Sequence, residues 1–541
     1  MGDDQRRVFS VVGTLPEPGG YAVAKFSRSA RPYQEWIREL TQEGASRFYE
    51  QFYFAYGHAS IADLAHLTLV AENISIVAAI EVLDEQLVDA QESSTRYQDF
   101  RRRRYFTPPE VRDSSLASAY TETCDRLFTA YHTLHQAVAR YFADRYAAER
   151  PSDMPDDEYQ RTLRARAFDV ARYLLPSSTL TGLGYLCSAR TLERQIRRLA
   201  ASPLDEIRGI AGDLGRAAIE PAFNPLASRI EPTLAQFAAE HPGPETDELA
   251  AAVREATLSG AAAAPTLVRH TEPSAYPRAT LEAAQAAAQH LLAGIGPDGS
   301  RGVSLADPVD PTLELAATLL YRASHLSYDQ ILEHLRRQAP PSPSPSPSPV
   351  EGEGMTLPPP SRGRVGERGA LVDTIAGLAY THRGPHDDLV REARVGYQLV
   401  FDLCIDQGAF RDLHRHRNCI QIIQDFTPVY GYDVPDAVVE VSLEAEYRTL
   451  MDESGALAVR LDEQRAGLGQ YALPLAYRRR ALFKMDAAEL AYIAEQRTTP
   501  AGHFSYREIA YQMYQALRER HPALADPIRV TDPAIEDFFE R

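Results

Sequence analysis

The chain has 541 residues, three to four times the length of a usual domain, which favours at least two packed cores. Its 44% hydrophobic and 24% charged residues exclude a largely disordered protein. Fifty-seven Lys plus Arg against 75 Asp plus Glu give a net charge of −18, which excludes a protein devoted to coating a polyanion. Lysine stands only at Lys25 and Lys484, so nearly every cation is an arginine, the side chain suited to bidentate capture of phosphate or carboxylate. Cys124, Cys187, Cys404 and Cys419 form no CxxC pair, and no secretory segment precedes them. This pattern predicts a reduced, cytoplasmic setting. No apolar run of about eighteen residues occurs, so no membrane span is expected.

In chain order, residues 66–71 (HLTLVA) alternate with the period of a half-buried strand, and Ile76, Ile80, Leu83 and Leu87 then recur at helical spacing. That helix ends in Asp84-Glu85-Gln86 and runs into Glu92-Ser93-Ser94-Thr95-Arg96-Tyr97. A softer break follows from about 240 to 311, rich in Ala and Pro yet partly helical. Residues 339–368 carry Pro, Ser and Gly with little to bury and read as a disordered insertion. Beyond it the alternation returns at 395–403, followed by a short apolar stripe at Ile405, Ala409, Phe410 and Leu413 and then His414-Arg415-His416-Arg417.

These features describe two related halves. Leu175-Pro176 stands fourteen positions before Arg190, and Leu473-Pro474 stands the same distance before Ala488, with no gap. The expected organisation is therefore residues 1–245 as one domain, 246–311 as a helical Ala/Pro-rich connector, and 312–541 as a second domain containing the insertion. The expected fold class is mixed α/β (α+β), each domain an antiparallel-rich sheet packed with helices.

For the basic tetrapeptide, cations at a helix C-terminus gain about 0.3–1 kcal/mol from the exposed carbonyls, which suffices as a structural explanation. The functional alternative is that two guanidinium groups flanking an imidazole hold a planar, anionic ligand. The Arg101 to Arg104 run lacks the aromatic pattern of an RNA module, so no nucleic-acid partner is expected. Gly182-Leu183-Gly184 lacks the third glycine of a dinucleotide fingerprint and reads as local packing. His382, His386 and His503 match no compact ligand spacing, and no metal is expected.

Together, the Gly57-His58 segment, the alternating strands, the RHR triplet, the E-x-S-x-R-Y loop and the Arg172 segment before Leu175-Pro176 resemble the flavin-dependent thymidylate synthases, or ThyX family. The resemblance covers about 20–240 and 365–530. It implies FAD as cofactor, NADPH and methylenetetrahydrofolate as co-substrates, and methyl transfer to dUMP to give dTMP. Carried over residue by residue, it implies flavin contacts at Ser60, Glu92, Arg190, Arg415, His416 and Arg417. It implies nucleotide contacts at Ser94, Arg96, Arg172, Arg415 and Arg497, with Arg415 polarising the uracil carbonyls and Ser94 donating a hydrogen bond to substrate. The first half lacks RHR; the second loses the E-x-S-x-R set to Ile423, Asp425 and Thr427 and the arginine before Leu-Pro to Gln470. These complementary losses imply one composite site, and the family's multi-chain sites imply a homodimer of such paired halves. Two alternatives stay open: a catalytically inactive flavin- or nucleotide-binding homologue, and a flavin enzyme acting on another pyrimidine nucleotide.

Overall fold

The computed structural model describes residues 9, 11–27, 29, 31, 33–55, 59–96, 100, 105–338, 369–384, 387–535 and 538–540. Gly57, His58, Tyr97, the Arg101 to Arg104 run, His386 and the insertion at 339–368 lie outside these residues. The architecture is mixed helix and sheet, as expected, and the chain divides into two compact units, each discontinuous in sequence. The first comprises Met1–Ile74, Glu81–Glu92 and Gly182–Pro273; the second comprises Ser75–Ile80, Ser93–Thr181 and Ser274–Arg541. Among the described residues no helix is long and apolar enough to cross a membrane.

The first unit holds a three-stranded sheet of β1 (His66–Ser75), β2 (Asp89–Glu92) and β3 (Leu180–Ser188) in the order β1-β3-β2. β2 and β3 run antiparallel with Asp89 opposite Leu186, and Gly182 and Gly184 lie on β3. Side chains on β1 alternate between exposed and buried from His66 to Val70, matching the alternation in sequence. Glu17 is fully buried and accepts the backbone N–H groups of Thr266 and Leu267 at 2.8 and 2.7 Å, so its charge is met by oriented peptide dipoles.

The second unit holds β4 (Gly302–Leu305), β5 (Leu399–Asp406), β6 (Ile420–Ile423) and β7 (Arg478–Met485) in the order β4-β5-β7-β6, every pair antiparallel. Here the structure departs from the expected half-buried strand at 395–403. β5 begins at Leu399 and is buried at every position. Val400 joins a core with Leu315, Leu319 and Ile375, while the helix Phe504–Arg520 packs on the strand as well. Lys484 on β7 is fully buried, with Glu314 at 2.7 Å and Thr318 at 2.9 Å, a pairing that a charge in an apolar core requires.

Within the second unit, two sets of segments hydrogen-bond alike. Ile76 and Val77 donate to the carbonyls of Thr179 and Ser177, and Gln407 and Gly408 donate in the same way to Tyr477 and Leu475. The Tyr120 hydroxyl donates to the Phe106 carbonyl at 2.7 Å and the Tyr447 hydroxyl to the Asp433 carbonyl at 2.8 Å. The two Leu-Pro turns pair with each other. Pro176 bridges Pro474 antiparallel, Ser177 and Ser178 donate to Leu473 and Tyr471, and Leu475 and Ala476 donate to Leu175 and Tyr173.

Candidate functional site

The helix Gln407–Leu413 starts where Asp406 leaves β5 and accepts the Ala409 N–H at 2.8 Å. Its C-terminal end carries the basic tetrapeptide, where cations are stabilised by the helix dipole. Gln421 on β6 clamps that turn: His414 Nδ1 donates to its Oε1 at 2.6 Å, and its Nε2 donates to the His416 carbonyl at 2.8 Å. The turn is thereby fixed before any ligand arrives.

Around this helix end the second unit gathers arginines from sequence-distant segments. Arg172 is 2% exposed; its Nη1 donates to Asp412 Oδ2 at 3.1 Å and reaches Thr95 Oγ1 at 3.5 Å. Among the described residues its Nε and Nη2 meet no acceptor. The other Asp412 oxygen lies 3.7 Å from Arg415 Nη2, whose side chain is 33% exposed. Burial pushes the Asp412 carboxyl upward, but Arg172 first, then Arg415 and Arg96, override it and hold its pKa at about 2. One carboxylate thus serves two guanidinium groups, leaving a net positive charge at the more accessible one.

Arg96 grips Asp169 in a bidentate pair, Nε to Oδ1 at 2.7 Å and Nη2 to Oδ2 at 3.0 Å. It also donates to the Tyr506 hydroxyl at 3.1 Å and to the Ala501 carbonyl at 3.0 Å. Arg497 lies over the same Tyr506 ring, 5.5 Å from its centroid, and its Nε donates to His416 Nε2 at 2.8 Å. On the other side His416 Nδ1 faces Glu489 Oε1 at 3.5 Å, and the ring meets Tyr492 edge-on at 5.6 Å. Burial, followed by the nearby Arg497 and Arg417 against an opposing pull from Glu489, lowers the His416 pKa. His503 is fully buried: its Nδ1 accepts the Ser505 N–H at 3.1 Å and its Nε2 donates to the Asp169 carbonyl at 2.9 Å. It works as a cap and a strut, and burial drives its pKa well down.

Of the residues singled out in sequence, Arg96, Arg172, Arg415, His416 and Arg497 thus fall into two linked clusters of the second unit, one around Asp412 and one around Tyr506. Arg417 follows in the same segment, half-buried, and Ser94 lies nearby in sequence with its Oγ accepting the Arg96 N–H at 3.2 Å. Ser60, Glu92 and Arg190 belong to the first unit. There Arg190 pairs with Asp63 at 3.0 Å, on the 3-10 segment Ala59–Leu64 that carries Ser60, and Glu92 ends β2. Sequence reasoning missed Asp169, Asp412, Gln421, Glu489 and Tyr506. Asp412 alone carried a signal, three positions before Arg415 on a helix, where opposite charges meet.

A family profile described as thymidylate synthase complementing protein (Thy1) matches residues 16–221 and 396–523. The chain is 27% identical over 509 residues to a UPF0159 protein of Chlamydia muridarum (strain MoPn / Nigg), covering 92% of this chain and 84% of the relative. It is 26% identical over 548 residues to a UPF0159 protein of Thermoplasma acidophilum, covering 95% of each. Among solved structures, flavin-dependent thymidylate synthase ThyX from Helicobacter pylori, complexed with FAD and dUMP, is 16% identical with a TM-score of 0.22, covering 37% of this chain and 88% of that one.

Proposed function

The chain belongs to the thymidylate synthase complementing protein family, and we propose that it carries out flavin-dependent methylation of dUMP to dTMP at one composite site in its second unit. The observation that carries this reading is Asp412 shared between Arg172, from the first half of the sequence, and Arg415, from the second. The two halves are read as tandem copies, with domains at 1–245 and 312–541 joined by the connector 246–311.

The donor set fits an anionic, planar flavin and a nucleotide phosphate. Arg415 and Arg417 are half-exposed cations, Arg497 lies against an aromatic ring, and Arg172 has guanidinium N–H groups without acceptors among the described residues. FAD, when bound, supplies the reducing electron pair drawn from NADPH, and methylenetetrahydrofolate supplies the one-carbon unit. The chain's own residues bind and orient. Arg172 neutralises most of Asp412, so Arg415 is held loosely enough to turn to the uracil carbonyls and stabilise the negative charge that makes C5 nucleophilic. Arg417 would bring positive charge to the flavin, and Arg497 would contact the nucleotide. Arg96, closed onto Asp169, Tyr506 and Ala501, fixes the floor of the site. Ser94 already accepts the Arg96 N–H, so its hydroxyl proton is the part left to donate to substrate.

The burial of Arg96 and Arg172 in ion pairs favours a second reading, a homologue that binds flavin and nucleotide without turning them over. Absorbance near 450 nm of the purified protein, followed by tritium release from C5-labelled dUMP with NADPH and methylenetetrahydrofolate, separates the two. Flavin with release supports the synthase, and flavin without release supports the second reading. A colourless protein that takes up neither FAD nor dUMP overturns both.

A further inference from the structure

His416 can be assigned a proton by elimination. An arginine never gives up its proton in a protein, so the 2.8 Å contact with Arg497 Nε makes His416 Nε2 the acceptor. The ring proton then sits on Nδ1, which faces the Glu489 carboxylate at 3.5 Å. Both side chains are buried, His416 at 4% and Glu489 at 6% exposure, so no solvent competes for either ring nitrogen.

The first half supplies an internal comparison. In the repeat, Glu85 stands where His416 stands, Thr191 where Glu489 stands and Leu199 where Arg497 stands. Thr191 there receives its contact from Ser188, which caps the helix Ala189–Ala200, and Leu199 is buried as core. Surrounding backbone features persist: Ser188 and Asp486 both cap the helix that follows, accepting N–H groups from Thr191 and Glu489. All three members of the polar chain are replaced together while the frame around them stays, as expected of a unit whose parts have no value singly.

We propose that Glu489 is a positioning residue: it holds His416 in the Nδ1–H tautomer so that Nε2 aims the Arg497 guanidinium at the ligand of the RHR turn. The proposal rests on the functional reading above for the identity of that ligand, but not for the tautomer. Without the carboxylate, the Nε2–H tautomer becomes competitive, its proton meets the Arg497 N–H, and the guanidinium turns away. A glutamine at this position still presents an oxygen to Nδ1–H and keeps the arrangement.

The test compares Glu489→Ala and Glu489→Gln in the full chain, using 15N-histidine-labelled protein with His416 assigned by its loss in His416→Gln, alongside titration with FAD and with dUMP. Wild-type and E489Q proteins are expected to show protonated Nδ1 and bare Nε2, with affinities within about threefold of each other. E489A is expected to lose that signature and to bind about tenfold more weakly, the cost of one misaligned charged hydrogen bond. An E489A protein in which His416 keeps a protonated Nδ1 overturns the relay, whatever its affinity. A wild-type protein that binds neither FAD nor dUMP overturns the functional reading instead, and the tautomer signature still decides the relay.

Discussion

Two helix ends, built alike, carry opposite charge. The helix Ile76–Leu83 ends in Asp84-Glu85-Gln86 and the helix Gln407–Leu413 in the basic tetrapeptide, each beginning at a strand-end cap, Ser75 or Asp406. At the first end, the acid comes from the turn and the base from the helix that follows: Glu85 pairs with Arg194, Arg198 donates to the Glu81 carbonyl at 2.9 Å, and Gln195 donates to the Val82 carbonyl at 2.7 Å. At the second, the turn brings the bases and the following helix brings Glu489. The first arrangement is neutralised and its carbonyls are satisfied. The second keeps more cations than carboxylates, so only it remains receptive to an anion. A backbone frame therefore does not fix a binding site; the order in which the charges are distributed over it does.

The sharpest way to break the comparison is at the position occupied by Asp412 in one half and Glu81 in the other. Asp412→Ala leaves the buried Arg172 without its carboxylate and is expected to destabilise the protein by about 3–5 kcal/mol, read as a lower denaturation midpoint. Glu81→Ala removes a surface pair with Arg198, side chains 44% and 28% exposed, and is expected to cost under about 1 kcal/mol. Equal costs would dissolve the distinction.

Acid titration tests the same carboxylate. The folded-state pKa of Asp412, about 2, lies below its unfolded value, so its stabilisation is complete above about pH 4 and is lost as pH falls towards 2. The loss should amount to about 2 kcal/mol. Asp412→Asn should flatten that part of the stability profile, and an unchanged slope would assign the acid sensitivity to another group.

Arg415→Ala is expected to abolish the 450 nm band or the dUMP response while shifting stability by less than about 1 kcal/mol, because its contact with Asp412 is long and partly exposed. Asp84→Ala, at the matching place in the first half, should leave both unchanged. The smallest effect is expected from Gly408→Ala. The first half has Val77 at this place, but a Cβ on Gly408 would lie 3.2 Å from Arg172 Nη2 and 3.1 Å from Asp406 Oδ1. A loss of about 1 kcal/mol, with weaker nucleotide binding, would show that the guanidinium requires the missing methyl.

Much of this was legible in the chain itself. The Leu-Pro register and the charge reversal at Asp84-Glu85-Gln86 need only local sequence, as does the alternation of β1, one face of which stays open at Val70. The full burial of β5 was not legible, because the covering helices come from elsewhere and erase the contrast between its two faces. The carboxylates were hidden for a related reason. Asp169 sits on a helix whose other acids face solvent, and nothing local marks which of them will meet Arg96, 73 residues earlier; Glu489 likewise carries no local sign of its contact with His416. Arginines could be singled out because they fell in motifs; their counter-ions could be found only once the chain had folded.

The seam at Pro176 and Pro474 binds the halves to a common fate. Each Leu-Pro turn spends its peptide donors on the other's carbonyls in a buried stretch, so removing either turn would leave buried backbone groups of the other without partners. The two turns thus depend on each other for the pairing of their buried backbone groups.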